Sequence, residues 1–141
     1  MIATVYKTLT KNDLGLTGSH QAGICVPFKI VHEGFFPKLD VLQYNPRTEI
    51  PICFQGVMLK FNYIYYNSKL LKKGTRNEYR LTGMSRFFFN NGCKEGDILV
   101  FKLYNGNYSV DIVHQMDENI TSDVDLDKPL VIKADWIYKR G

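Results

Sequence analysis

Two stretches of this chain concentrate side chains able to do chemistry. Between Lys69 and Arg86 stand six bases (Lys69, Lys72, Lys73, Arg76, Arg80 and Arg86) and one acid, Glu78, a local charge of +5. A cluster of one sign is the electrostatic footprint expected for a polyanion, although charge alone fits a solvated basic face equally well. Its other residues narrow the choice. Arginine can address guanine O6 and N7 bidentately, asparagine can address adenine, and glutamate can accept from the cytosine amino group. Arg76, Asn77, Glu78 and Arg80 in one run therefore suit sequence-specific binding better than a non-specific patch. The second stretch runs from Lys7 to Gly23 and combines three glycines with Asn12, Thr17, Ser19, His20 and Gln21. These short polar side chains both donate and accept, which suits base edges and phosphates, and the glycines let the backbone approach a ligand closely. A generic glycine-containing loop is the plain alternative.

Catalytic spacings are missing. The chain has no HExxH, CxxC, GxSxG or phosphate-binding glycine loop. Metal-dependent nucleases place an acid two positions before a lysine; none of the fourteen acids does so, the nearest form being Glu78-x-Arg80. His20, His32 and His114 are followed two residues later by Ala, Gly and Met, so an H-x-K phosphodiesterase pattern is absent too. Asp123, Asp125 and Asp127 imitate the start of a calcium loop, but Lys128 stands where the turn needs Gly, and Ala134 where a bidentate Glu is needed. No catalytic residue, metal site or cofactor is assigned, and the chain is not expected to be an enzyme by itself.

The 141 residues are 45% hydrophobic and 23% charged, ordinary values for one globular domain spanning 1–141. No apolar run approaches the roughly 20 residues of a membrane span, and MIATVYKTLTK lacks the features of a secretory signal. Three widely spaced cysteines (Cys25, Cys53, Cys93) argue against a disulfide framework. The expected setting is cytoplasmic. Residues 1–110 carry fourteen Lys or Arg against seven Asp or Glu, a net +7, while residues 111–141 carry four against seven, a net −3.

Short apolar or alternating runs separated by turn residues predict strands over Val5–Leu9, Gly23–Val31, Leu39–Tyr44, Val57–Tyr66, Tyr79–Thr82, Ile98–Tyr104, Tyr108–His114 and Leu130–Ile137. Asn105-Gly106 predicts a type I′ hairpin. One helix is predicted over Ser85–Asn91, with Ser85 as its cap, Phe87–Phe89 in the core and Gly92 as its left-handed stop. The five prolines are expected near strand ends or in loops. Many strands with little βαβ alternation indicate a barrel or sandwich.

The motifs go further. Lys7-Thr-Leu-Thr, Asn12-Asp13, Gly23-Ile-Cys-Val-Pro27 and Phe36-Pro-Lys-Leu-Asp40 resemble the opening progression of plant B3 DNA-binding domains. Tyr79 to Phe87, then Gly92 to Phe101, resemble their second signature, with Met84 where plant members have Trp. The spelling from Asn12 to Gly23 and Asn77-Glu-Tyr-Arg-Leu-Thr82 is closer to the DNA-recognition domains of EcoRII-type restriction endonucleases. The resemblance covers about Tyr6 to Leu103; the acidic stretch Asp117–Asp127 has no counterpart. It implies a mainly β fold, a seven-stranded open pseudobarrel with short flanking helices, whose two loops grip the major groove. By that resemblance the N-arm comprises Lys11, Asn12, Asp13, Thr17, Gly18, Ser19, His20 and Gln21. The C-arm comprises Lys69, Lys72, Lys73, Arg76, Asn77, Glu78, Tyr79 and Arg80. Asp13, which phosphate would repel, is expected either to hold its loop through backbone N–H groups or to accept from a cytosine amino group. Implied partners are double-stranded DNA and a nuclease domain or subunit, with no membrane; a stand-alone bacterial B3 regulator is the alternative. A small enzymatic or ligand-binding barrel is disfavoured by the missing motifs.

Overall fold

The computed structural model describes residues 2–16, 22–115, 130–133 and 135–141. Its strands are β1 (Ile2–Thr8), β2 (Gly23–Val26), β3 (Arg47–Phe54), β4 (Val57–Tyr66), β5 (Glu78–Thr82), β6 (Ile98–Tyr104), β7 (Asn107–Val113), β8 (Leu130–Lys133) and β9 (Trp136–Arg140). Two short helices, α1 (Phe28–His32) and α2 (Ser85–Asn90), flank them. The strands form one open sheet in the order β2-β5-β4-β3-β7-β6-β1-β9-β8.

Its two halves meet at a short parallel pairing of β3 with β7, at Ile52↔Tyr108 and Cys53↔Ser109. Inward residues line up across each half. In one, Tyr138, Val5, Phe101 and Val110 lie side by side on β9, β1, β6 and β7, all buried. In the other, Ile24, Leu81 and Tyr63 do the same on β2, β5 and β4. Such cross-strand rows, together with Tyr65 stacked on Tyr79 at 4.1 Å between centroids, fix the register, because a one-residue slip would turn them to solvent.

The mainly β, open-barrel expectation holds, with nine strands among the described residues where the resemblance implied seven. Several local expectations are corrected. The run Gly23–Val31 is a strand only to Val26; Pro27 (φ −62°) accepts from the N–H groups of Ile30 and Val31 and starts α1. Leu39–Tyr44 is a loop, because Asp40 takes the Leu42 N–H at its carboxylate and the Gln43 N–H at its carbonyl. The strand β3 was missed because Pro51 interrupts its pattern. Pro51 lies inside β3 on its exposed face, between the buried Ile50 and Ile52. Leu130–Ile137 divides into two antiparallel strands.

The helix α2 forms as expected, but Ser85 does not cap it. Met84 holds the N-cap position with no side-chain cap bond, anchored by full burial, and Phe89 points to solvent, 86% exposed. Gly92 (φ +59°) ends the helix in the left-handed conformation. Asn105 (φ +50°) and Gly106 (φ +77°) make the predicted I′ turn, and Gln55 (φ +49°) with Gly56 (φ +81°) makes a second between β3 and β4.

Candidate nucleic-acid interface

The C-arm is the loop between β4 and β5, and its shape is set at its root. Asn67 and Ser68 are both buried. The Asn67 carbonyl accepts the Leu71 N–H (3.1 Å), the Ser68 carbonyl accepts the Lys73 N–H (2.8 Å), and Ser68 Oγ accepts the Arg76 N–H (3.0 Å). The Lys69 N–H closes the loop onto the Arg76 carbonyl at 2.9 Å. Lys72 takes a left-handed φ of +57°. Lys69, Lys72, Lys73, Arg76 and Asn77 are exposed.

Contacts orient the exposed Arg76 and Asn77, while Glu78, Tyr79 and Arg80 are drawn inward. The Arg76 guanidinium lies 3.7 Å from the Tyr66 ring centroid and donates to Glu78 Oε1 at 2.5 Å. That arrangement holds the planar fork in one orientation. Asn77 Oδ1 accepts from the Tyr65 hydroxyl (2.6 Å). Tyr79 is core, its hydroxyl pKa raised by burial and then by the neighbouring Tyr65. Arg80 is buried, with its guanidinium 3.7 Å from Glu78. Glu78 thus serves both arginines.

The N-arm is fastened at its neck. Asp13 is buried, and its carboxylate accepts the Thr10 N–H (2.8 Å) while Thr10 Oγ1 accepts the Asp13 N–H (3.2 Å). The same carboxylate pairs with the buried ammonium of Lys7 at 2.9 Å. Lys7 also pairs with Asp135, just before β9, and its ammonium sits 5.3 Å from the Trp136 ring centroid. The Asp13 carbonyl accepts the N–H of Gly23, joining the outgoing and returning legs (2.8 Å). Of the two roles expected for Asp13, holding the loop is the one the structure displays. Lys11 and Asn12 are exposed beside it; Thr17, Gly18, Ser19, His20 and Gln21 lie outside the described residues.

Two contacts brace the arms. A Cβ at Gly23 would stand 2.4 Å from the Leu81 carbonyl oxygen, so only glycine lets the N-arm's returning leg pack on β5, the strand leaving the C-arm. On the other leg, Leu9 exchanges backbone bonds with Asp97 and Gly96. Burial would raise the Asp97 carboxyl, but hydrogen bonds from the Gln115 and Lys94 N–H groups and from His114 outweigh it and hold the pKa below the ordinary value of 3.8. Sequence reading missed Lys7, Asn67, Ser68 and Asp97 as positioning residues. The Asn-Ser pair at the end of the β4 alternation was the available signal for the C-arm root.

Comparison with known proteins gives this geometry a context. The family model described as restriction endonuclease EcoRII, N-terminal, matches residues 1–129. The type II restriction enzyme EcoRII of Escherichia coli is 38% identical over 80 residues, which is 54% of this chain and 19% of that protein. The UbaLAI restriction endonuclease B3 domain, solved with cognate DNA, superposes with a TM-score of 0.64 at 20% identity, over 98% of this chain and 86% of that one. The Arabidopsis FUS3–DNA complex superposes with a TM-score of 0.58, also at 20% identity, over 77% of this chain and 94% of that one. The shared architecture is the B3 open barrel.

Proposed function

The chain belongs to the restriction endonuclease EcoRII N-terminal family, and from that premise we propose that it binds double-stranded DNA at a specific short site. On this reading the N-arm and C-arm enter the major groove. The chain acts as the target-recognition domain of a type II restriction endonuclease whose nuclease centre lies elsewhere, in a further domain or subunit. Its organisation as a single domain over 1–141 and a cytoplasmic, nucleoid-associated setting belong to the same proposal.

The observation that carries the reading is the C-arm: a loop with Lys69, Lys72, Lys73 and Arg76 exposed, shaped from beneath by the buried, neutral Asn67 and Ser68. A loop built this way fixes the backbone from which the cations project, so the backbone need not be ordered at the moment a polyanion binds. The two solved structures named above contain DNA, which supports the same partner. The lysines supply counterion release and so set affinity and salt dependence. Arg76, already oriented by Tyr66 and Glu78, and Asn77 are placed to read base edges. The N-arm, poor in charge, contributes specificity through Asn12, His20 and Gln21.

Selection from a random duplex library tests this. The chain should enrich a short common site, and incubation with plasmid and Mg²⁺ should leave the DNA uncut. Failure to enrich any site would remove the specificity, and sequence-specific cleavage that stays with the chain through purification would place a nuclease centre inside it.

A further inference from the structure

The hydrogen bonds at the root of the C-arm reach beyond the arm itself. Asn67, with no exposed surface, donates from Nδ2 to the carbonyls of Val41 (3.0 Å) and Gln43 (2.6 Å) and accepts the Asn45 N–H at Oδ1 (2.8 Å). Asn45 Oδ1 in turn accepts the Asn67 N–H (3.2 Å). One side-chain amide thus spends both donors and its acceptor on a single backbone segment, Asp40–Asn45. A cleft of about 910 Å³, lined by Phe36, Leu39, Val41, Tyr79 and Tyr108 among others, adjoins the segment. Val41, Leu42, Gln43 and Tyr44 are all exposed, so their side chains add little packing, and the Asn67 hydrogen bonds hold the segment to the C-arm.

What the segment displays is unusual for a plain connection. Leu42 is 79% exposed and Tyr44 57%, and Gln43 is exposed between them. The Lys73 ammonium of the C-arm lies over the Tyr44 ring, 5.5 Å from its centroid. The one acid of the segment, Asp40, is turned onto its own Leu42 N–H, and Lys38 and Arg47 flank the whole.

We propose that Asp40–Asn45 is a third element of the DNA grip, continuous with the C-arm and locked to it by Asn67. Tyr44 supports Lys73 from beneath, and its exposed ring edge and the Gln43 amide meet the same duplex that the C-arm engages. Gln43 has donors for phosphate or base acceptors, and Leu42 an apolar surface suited to a thymine methyl. Continuity with the lysines of the C-arm and the basic flanks favour duplex DNA over a protein partner. The proposal rests on the DNA-binding reading above.

A photoreactive benzophenone side chain placed in turn at positions 44, 72 and 104 tests it, using the duplex enriched from the library. Position 72 reports the C-arm. Position 104, exposed on the β6–β7 hairpin and paired with Ile2, lies at the end of β1 away from the N-arm. Crosslinks to DNA from 44 and 72 but not 104 support the proposal; crosslinking from 72 without 44 overturns it and leaves the DNA-binding reading intact. If wild type binds no duplex and 72 stays silent, the underlying reading fails and takes the proposal with it. In parallel, Gln43→Ala combined with Tyr44→Ala should weaken the specific complex about tenfold, with the salt slope nearly unchanged and the thermal transition retained. Wild-type affinity in that double variant overturns the proposal.

Discussion

At the neck of the N-arm the groups that fix the loop are charged: Lys7 is buried between Asp13 and Asp135 and against Trp136. At the root of the C-arm they are neutral, an amide and a hydroxyl from Asn67 and Ser68. The outward faces reverse this order, the described N-arm showing Lys11 and Asn12 and the C-arm showing Lys69, Lys72, Lys73 and Arg76. A neutral root leaves the lysines above it uncompensated and available to phosphate, whereas the N-arm's own carboxylate and its ammonium partner cancel inside the fold. On the proposed DNA-binding reading, the contrast gives the C-arm most of the electrostatic attraction, together with base reading by Arg76 and Asn77, and gives the N-arm the larger share of discrimination.

The largest effect should come from breaking the charged neck. Lys7→Met leaves the buried Asp13 carboxylate and the half-buried Asp135 carboxylate without their shared cation, and a loss of about 3–5 kcal/mol is expected in urea unfolding. Lys7→Met combined with Asp13→Leu should recover part of it. A loss under about 1 kcal/mol would mean that solvent already screens the cluster.

The two arginines should then separate by exposure. Arg76→Ala should cost ~1–3 kcal/mol of discrimination at one base pair, measured by competition with single-pair variants of the site. Arg80→Ala, at a buried position, should lower stability first, read as an earlier thermal transition. Equal shifts on every duplex from Arg76→Ala would reduce the C-arm to an electrostatic grip.

A smaller effect is expected under the N-arm, at Asp97. Its folded pKa is depressed, so its contribution is fully present above its ordinary value of 3.8 and is lost as pH falls through the lower folded value. Stability curves of wild type and Asp97→Asn should therefore converge in acid; a constant separation down to pH ~2 would exclude ionisation of Asp97 as the source. The smallest effect should belong to Lys72→Ala or Lys73→Ala, each reducing the salt slope by roughly one unit and weakening specific and non-specific duplexes alike.

Much of this was legible in the sequence where local chemistry decides structure. The alternation of Val57–Tyr66, the Asn105-Gly106 turn and Gly92 each encode their conformation within a few residues, and β4, the β6–β7 hairpin and the end of α2 follow. Positions decided by long-range packing were not legible. Pro51 hid β3 because its exposed face is visible only once Ile50 and Ile52 are known to point inward. The Leu39–Tyr44 run looks like a strand until Asn67, more than twenty residues on, takes its carbonyls. Among the arm residues, composition marked the basic loop but could not tell exposed Arg76 from buried Arg80, since both are arginines four residues apart flanking one glutamate.

The division of labour between the arms is tested most directly by titrating one variant, Asn12→Ala with His20→Ala and Gln21→Ala, against specific and scrambled duplexes over a series of salt concentrations. Neutral side chains contribute little to counterion release yet can read base edges. The expected result is a specific-to-non-specific ratio that collapses to the residual discrimination left by Arg76 and Asn77, while the salt slope stays near that of wild type. Retained discrimination in that variant, with its thermal transition intact, would contradict the account and move recognition away from the N-arm.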